Sequence, residues 1–298
     1  MRFAKGHGTE NDFVILVDPE AEQGLPAAFA ARLCDRRAGI GADGVLRAVR
    51  TGAAIRAGAL GDGPGAVLAG RNGAAGEPLP EWFMDYRNAD GSLAEMCGNG
   101  IRVFARYLAD RGLVTGPSFT VATRGGFRRV RLAAGGDVAA EMGAAAVLGP
   151  GQAVVGGETC PGFRISVGNP HLACLVDGPL AGYDLTRPPG LDPAVFPAGG
   201  NVELVRVTGP GTAQMRVYER GSGETRSCGT GAVAAAAAAA YAAGQDQGSW
   251  QVSVPGGRLT VELAAAGSWL TGPAQIVAEG ELDPSWLALA AAGQPGRG

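Results

Sequence analysis

The chain has 298 residues, a length that suggests two domains of ordinary size, and 46% of them are apolar, enough to build real cores and to exclude disorder. Twenty-five basic residues stand against 28 acidic ones, for a net charge of −3 with no long run of either sign. That balance lacks the basic surface of a phosphate-backbone binder and argues against nucleic acid as a partner.

The opening "MRFAKGHGTENDF" interrupts any apolar stretch with Lys5, His7, Glu10 and Asp12, which argues against a signal peptide. The longest alanine-rich stretch, Ala232 to Ala243, is too short to cross a bilayer and ends at Gly244. A soluble cytoplasmic protein with no membrane partner is the expectation. Five cysteines form no Cys-x-x-Cys pair and only two histidines are present, so no metal site is expected, and the thiols should be free. For Cys34, Cys160 and Cys174 the expectation is that of small buried hydrophobes.

In chain order, an apolar run at Phe13 to Val17 precedes an expected helix through "PAAFAARLCDRR", with Pro26 in its first turn. Residues 51–80, rich in Gly, Ala and Pro without clear periodicity, read as a long surface loop or extended hairpin. "EWFMDYRNADGS" reads as a strand leading into a turn, followed by Cys97-Gly98-Asn99-Gly100. Beyond it, Ile101, Phe104, Ala105 and Leu108 follow the spacing of a buried helix face, with Gly112 as its stop. "SFTVAT" and "FRRVRL" then form a hairpin-like pair.

The second half repeats the plan. "FRISVGNPHLACLVD", "NVELVRV" and "AQMRVYERG" look like strands, Cys228-Gly229-Thr230-Gly231 opens an alanine-rich helix, and "WQVSVPGGRLTVEL" alternates as a hairpin. Cys97 and Cys228 lie 131 residues apart (228 − 97), each starting a helix in the same glycine setting. Internal duplication is the economical reading, and a helix apolar on nearly every side should be wrapped by sheet.

A helix N-terminus offers unpaired N–H groups and a partial positive charge, and neighbouring glycines let another group approach. Such a setting cradles an anion and should favour the thiolate of the capping cysteine. Two of them directed at one carboxylate would suit stereoinversion: one thiolate removes an α-proton and the opposite thiol delivers another. The two settings read as nearly equivalent. No cofactor is required, and no lysine stands in a context that would suggest pyridoxal phosphate.

The stretches "FAKGHGTENDFVIL", "CDRRAGIGADG", "NADGSLAEMCGNGIRVFARYL", "SVGNPH", "NVELV", "YERGSGETRSCGTGA" and "VPGGRLTVEL" run in one order along nearly the whole chain, and in them it resembles the diaminopimelate epimerase family. The resemblance implies an α/β (α+β) fold of two pseudo-symmetric domains, each a curled mixed or antiparallel sheet around a central helix. The expected domains are residues 1–142, rejoined by a last strand at about 274–298, and residues 143–273. It also implies an isomerase that interconverts LL- and meso-2,6-diaminopimelate without a cofactor, in lysine and peptidoglycan precursor biosynthesis, and a homodimer.

By that resemblance Cys97 and Cys228 are the catalytic thiols. Gly98-Asn99 and Gly229-Thr230 supply backbone donors to the reacting carboxylate, and Asn11, Asn88, Asn169 and Asn201 surround the substrate. Glu219 and Arg220 read the distal amino-acid head, the arginine its carboxylate and the glutamate its ammonium. His171 and Glu219 tune the thiols, while Asp12 and Glu95 are expected to be structural. Two positions depart from the family pattern: Glu10 stands where many members have glycine, and Gly44 where some present a side chain to the substrate. Two rival readings stay open, a proline or hydroxyproline racemase of the same fold and a non-catalytic thiol redox or ligand-binding protein. Asn99, where the racemases typically carry histidine, and the Glu219-Arg220 pair favour a substrate with a second amino-acid head.

Overall fold

The computed structural model describes residues 1–61, 64–75 and 78–291, so parts of the 51–80 stretch and of the expected 274–298 return lie outside the described residues. The chain forms two compact units. The first comprises Met1–Gly8, Asp12–Val138 and the segment from Ala274 onward; the second comprises Thr9–Asn11 and Ala139–Pro273.

The strands β1 (Arg2–Gly8) and β2 (Asn11–Val17) are joined at Thr9 and Glu10, which count with the second unit and whose φ angles of 50° and 62° are both left-handed. Two positive φ values in a two-residue connection are the signature of a type I′ hairpin turn, which glycine usually occupies. Glu10 therefore keeps the turn that glycine would make, and its carboxylate is held by Arg226 within the second unit. The helix α1 (Ala27–Cys34) starts after Pro26 and buries Phe29, Ala30, Leu33 and Cys34 against Val14, Leu16 and Val45. Next come β3 (Gly44–Arg50), α2 (Thr51–Arg56), α3 (Pro64–Ala75), β4 (Trp82–Asn88), α4 (Gly98–Asp110), β5 (Ser118–Thr123) and β6 (Gly126–Leu132).

The helices α2 and α3 correct the expectation of a loop or hairpin over 51–80. Ala53, Ala54, Leu60 and Ala69 are buried on Val49, Phe83 and Ala122 of the sheet. Alanine is the best helix former, and the apolar contact with the sheet outweighs the glycine and proline of this stretch.

The second unit begins with β7 (Val138–Gly143) and continues through β8 (Ala146–Val155), β9 (Glu158–Ser166), β10 (Pro170–Leu175), β11 (Asn201–Gly209), β12 (Thr212–Glu219) and β13 (Gly223–Thr225). It is completed by α5 (Gly229–Ala242), β14 (Gly248–Val254), β15 (Gly257–Ala264) and β16 (Gly267–Gly272). "FRISVGNPHLACLVD", grouped above with the strands, is two antiparallel strands, Pro170 of β10 facing Ser166 of β9. The chain then returns to the first unit as β17 (Gln275–Glu281), antiparallel to β1, and α6 (Pro284–Ala291).

The strand order repeats. In the first unit β2 runs parallel to β3, β3 antiparallel to β4, β4 parallel to β5, and β5 antiparallel to β6. In the second, β10, β11, β12, β14 and β15 follow the same sequence of directions. Each parallel crossover after the central pair carries the cysteine-led helix: α4 between β4 and β5, α5 between β12 and β14. Strands surround both helices, β1, β3, β4, β6 and β17 on α4, and β8 to β12 with β14 to β16 on α5. Ala232, Ala234, Ala235, Ala236 and Ala238 of α5 are fully buried, small side chains that let strands approach from every side. The mixed α/β fold expected from the sequence holds.

Gly256, in the β14–β15 turn, shows how tightly that unit is drawn in: a Cβ there would lie 1.9 Å from the Thr9 carbonyl oxygen. Gly256→Ala is expected to destabilise the protein by roughly 1–3 kcal/mol, the usual range for overpacking, read as a lower midpoint in urea at constant slope.

Candidate active site

Cys97 is the N-cap of α4, with extended backbone (φ −133°, ψ 123°), and its sulfur accepts the Gly100 N–H at 3.4 Å. Cys228 is the N-cap of α5 in nearly the same conformation (φ −124°, ψ 122°), and its sulfur accepts the Gly231 N–H, also at 3.4 Å. The first helical hydrogen bonds run from Ile101 N to Cys97 O and from Ala232 N to Cys228 O. The N–H groups of Gly98 and Asn99, and of Gly229 and Thr230, therefore sit in first turns ahead of the helical ladder, the arrangement that favours an anion. Asn99 is fully buried.

Two glycines make this geometry possible, and each shows what backs its thiol. A Cβ on Gly100 would meet Leu46 Cδ2 at 3.3 Å and Phe13 Cζ at 3.4 Å; on Gly231 it would meet Glu203 Oε1 at 2.8 Å. The strand registers make these positions counterparts. Phe13 pairs with Gly44 between β2 and β3, and His171 pairs with Asn201 between β10 and β11, so Leu46 and Glu203 both lie two residues further on. Leucine and phenylalanine side chains stand behind the first cap's glycine and a buried carboxylate behind the second's. The expectation of nearly equivalent settings does not hold.

The pair behind Cys228 is His171 and Glu203, both fully buried, with His171 Nδ1 2.7 Å from Glu203 Oε1. His171 Nε2 lies 2.9 Å from Asn169 Oδ1, so both ring nitrogens face oxygen acceptors. Glu219, at the end of β12, accepts the Thr225 hydroxyl and interacts with the Cys228 thiol; burial pushes its carboxyl above the usual range. The expectation that the helix end favours the thiolate is overturned at Cys228. Burial, then the charges of Glu219 and Glu203, raise that thiol well above its ordinary value, outweighing the hydrogen bonds from Thr230 and Gly231.

The remaining candidates fall in the same neighbourhoods of their units. In the second, Asn201 is buried and its Oδ1 accepts the Arg220 N–H at 2.9 Å, while the Arg220 guanidinium donates to the Ala198 carbonyl. Asn11 is half-buried at the start of β2. In the first unit, Asn88 ends β4 opposite Gly44, and its Nδ2 donates to Ser92 Oγ at 3.0 Å, closing the turn that leads to Cys97. Asp12 is engaged by Arg36 and Lys5: burial raises its carboxyl, but the hydrogen bonds from these two side chains win and hold it well below the usual range. The other three thiols are buried and each is raised by desolvation, Cys34 to about 11 and Cys174 to about 12, which fits inert core residues.

Two residues beside the thiols were missed by reading the sequence. Glu203 sits within "NVELV", where a lone acid in a run of buried strand residues was the available signal. Arg102 is fully buried in α4, its Nη1 donating to the Gly98 carbonyl at 3.0 Å. The 101, 104, 105, 108 spacing directs it away from the apolar face, and only the enclosing strands bury it.

A family model described as diaminopimelate epimerase matches residues 3–148 and 163–277. The chain is 57% identical over 287 residues to the diaminopimelate epimerase of Thermobifida fusca, covering 96% of this chain and 100% of that one. It is 50% identical over 295 residues to that of Mycolicibacterium smegmatis, covering 96% and 98%. A solved hydroxyproline epimerase from Agrobacterium vitis matches with a TM-score of 0.60 at 13% identity, covering 96% of this chain and 94% of that one. A phenazine biosynthesis protein of the PhzF family from Bacillus anthracis gives 0.62 at 15% identity, covering 95% and 98%. At those identities the likeness concerns the fold alone, whereas the family model and the full-length relatives show that this chain belongs to the diaminopimelate epimerase family.

Proposed function

We propose that this protein interconverts LL- and meso-2,6-diaminopimelate by a two-base reaction that needs no cofactor, as an isomerase of lysine and peptidoglycan precursor biosynthesis. The observation that carries the reading is the repeated cap: the same cysteine geometry, with the same glycine-borne N–H bond to sulfur, at the start of the central helix of each unit. The match to diaminopimelate epimerases over 96% of this chain supports the choice of substrate.

In this reading the N–H groups of Gly98, Asn99, Gly229 and Thr230 hold the carboxylate and stabilise the charge that develops as the α-proton leaves, the larger part of the barrier. Cys97 and Cys228 serve opposite faces of the α-carbon, one charged and one protonated at the start of each turnover. Asn11, Asn88, Asn169 and Asn201 position the substrate, Glu219 and Arg220 bind its distal ammonium and carboxylate, and His171 with Glu219 tunes the thiols. Arg220 would leave the Ala198 carbonyl to do so. The proposal extends to a cytoplasmic homodimer of two-domain protomers, with residues from about 274 rejoining the first domain.

Purified protein supplied with LL-diaminopimelate in deuterated water should build up meso product and incorporate deuterium at an α-carbon. Exchange with proline or hydroxyproline but not with diaminopimelate would overturn the assignment in favour of a racemase. Turnover that requires the oxidised protein would overturn it in favour of a redox role.

A further inference from the structure

The two cysteine caps differ most in the fixed charge around them. On α4, Arg102 is fully buried, and its side chain runs back toward the helix N-terminus, as long side chains on helices do, to bond the carbonyl of Gly98. A buried guanidinium is costly without a counter-charge. Burial draws Arg102 down to about 10, against the opposing pull of negative charge at Cys97 and Asp137. Asp137 is exposed, whereas Cys97 is half-buried, one residue before the Gly98 carbonyl that Arg102 holds. The corresponding position on α5, 131 residues on, is Val233, buried and neutral.

At Cys228 the sign reverses. Glu203 from β11 and Glu219 from β12 both bear on this thiol, the imidazole of His171 from β10 lies against Glu203, and Glu203 Oε2 is buried with no hydrogen-bond partner among the described residues. The exposed Arg226, two residues before the thiol, is turned to Glu10 and to the Pro255 carbonyl. Around the start of α4, strand pairing puts Leu46 and Tyr86 on one face with Asn88, and Arg47, Asp85 and Arg87 on the other. Glu279 of β17 is engaged by Arg111 at the far end of α4, and Glu95 is exposed.

We propose that Arg102 and Glu203 make the two thiols electrostatically unequal, so that in the free protein Cys97 carries the negative charge and Cys228 carries the proton. Arg102 is then a positioning residue for the reaction: it holds the Gly98 carbonyl and sets the charge state of the neighbouring base without touching substrate. The free protein is thereby poised for the stereoisomer whose α-hydrogen faces Cys97, and each inversion leaves the reverse charge state, which must lose the proton on Cys97 and regain one on Cys228 before the next turn in the same direction. This inference rests on the reading of Cys97 and Cys228 as the base pair.

The test is alkylation of the reduced, substrate-free protein with iodoacetamide across pH 5 to 10, with each cysteine followed by peptide mass spectrometry. The pH midpoint, which reports protonation and not accessibility, should be lower for Cys97 than for Cys228. Arg102→Met should raise the Cys97 midpoint by about one pH unit or more, the usual effect of removing a nearby opposite charge, and move Cys228 less; Arg102→Lys should largely restore it. Glu203→Gln should lower the Cys228 midpoint. Equal or inverted midpoints in the unaltered protein, or a Cys97 midpoint indifferent to Arg102→Met, overturn the proposal. If Arg102→Met does not fold, the order of midpoints in the unaltered protein together with Glu203→Gln decides. These midpoints are read without turnover, so their failure leaves the epimerase assignment standing, and failure to turn over diaminopimelate leaves the midpoints interpretable.

Discussion

Alanine at Cys97 or at Cys228 is expected to lower epimerisation at least about a thousandfold while leaving the protein folded, since a positioned acid or base contributes about 10²–10⁴ and inversion has no substitute path once one face lacks its sulfur. The structural loss is small: each thiol accepts one N–H as an N-cap, and losing such a cap costs about 1 kcal/mol. Each variant should still exchange the α-hydrogen of the stereoisomer that its remaining thiol faces, without converting it. Serine at either position keeps the cap but is a much weaker acid than the thiol, so activity should remain low. Circular dichroism separates this outcome from unfolding, and deuterium exchange of each isomer separates loss of one base from loss of binding. Near-normal epimerisation by either alanine variant would remove that thiol from the chemistry.

Asp85→Ala is expected to cost about 3–5 kcal/mol, a large share of the roughly 5–15 kcal/mol that holds a typical domain folded. Asp85 is fully buried and accepts from Arg47 Nη2 at 2.7 Å and Arg124 Nη2 at 2.5 Å, while Arg47 Nη1 also reaches Asp18 at 3.1 Å. Arg47 and Arg124 are themselves nearly enclosed, at 6% exposure each, so removing the carboxylate leaves Arg47 with Asp18 alone and takes from Arg124 its buried carboxylate partner. Urea denaturation should show a large drop in midpoint, or no folded protein at all. A change below about 1 kcal/mol, the worth of an exposed ion pair, would mean that water reaches these charges.

Much of the fold was legible because the local signals agree with the tertiary ones. The alternating hairpin at Trp250 to Leu263, the helix face at Ile101 to Leu108 and the two capping cysteines all appear where periodicity and turn chemistry put them. The 51–80 stretch was not legible, because Ala53, Ala54 and Ala69 fold as helix through contact with a sheet that no local window contains. The candidate site divides in the same way. Cysteines at helix starts announce themselves in glycine-rich motifs, but Arg102 looks like a surface residue by helical spacing and Glu203 like one acid in a strand. Their significance comes from burial against a helix end, which is set by strands far away in sequence.

Whether two separate sulfurs act on opposite faces of one carbon is decided by a first-turnover experiment. LL-diaminopimelate carrying ordinary hydrogen is converted in deuterated water and stopped after a few per cent of conversion, and the isotope at the inverted carbon of the meso product is read by mass spectrometry or NMR. One deuterium is expected at that carbon in essentially every product molecule, while unconverted substrate keeps its hydrogen, because the arriving proton comes from the thiol opposite the one that received the departing one. Product that retains the substrate's own α-hydrogen would mean that a single base swings between the two faces, and would overturn the two-thiol mechanism.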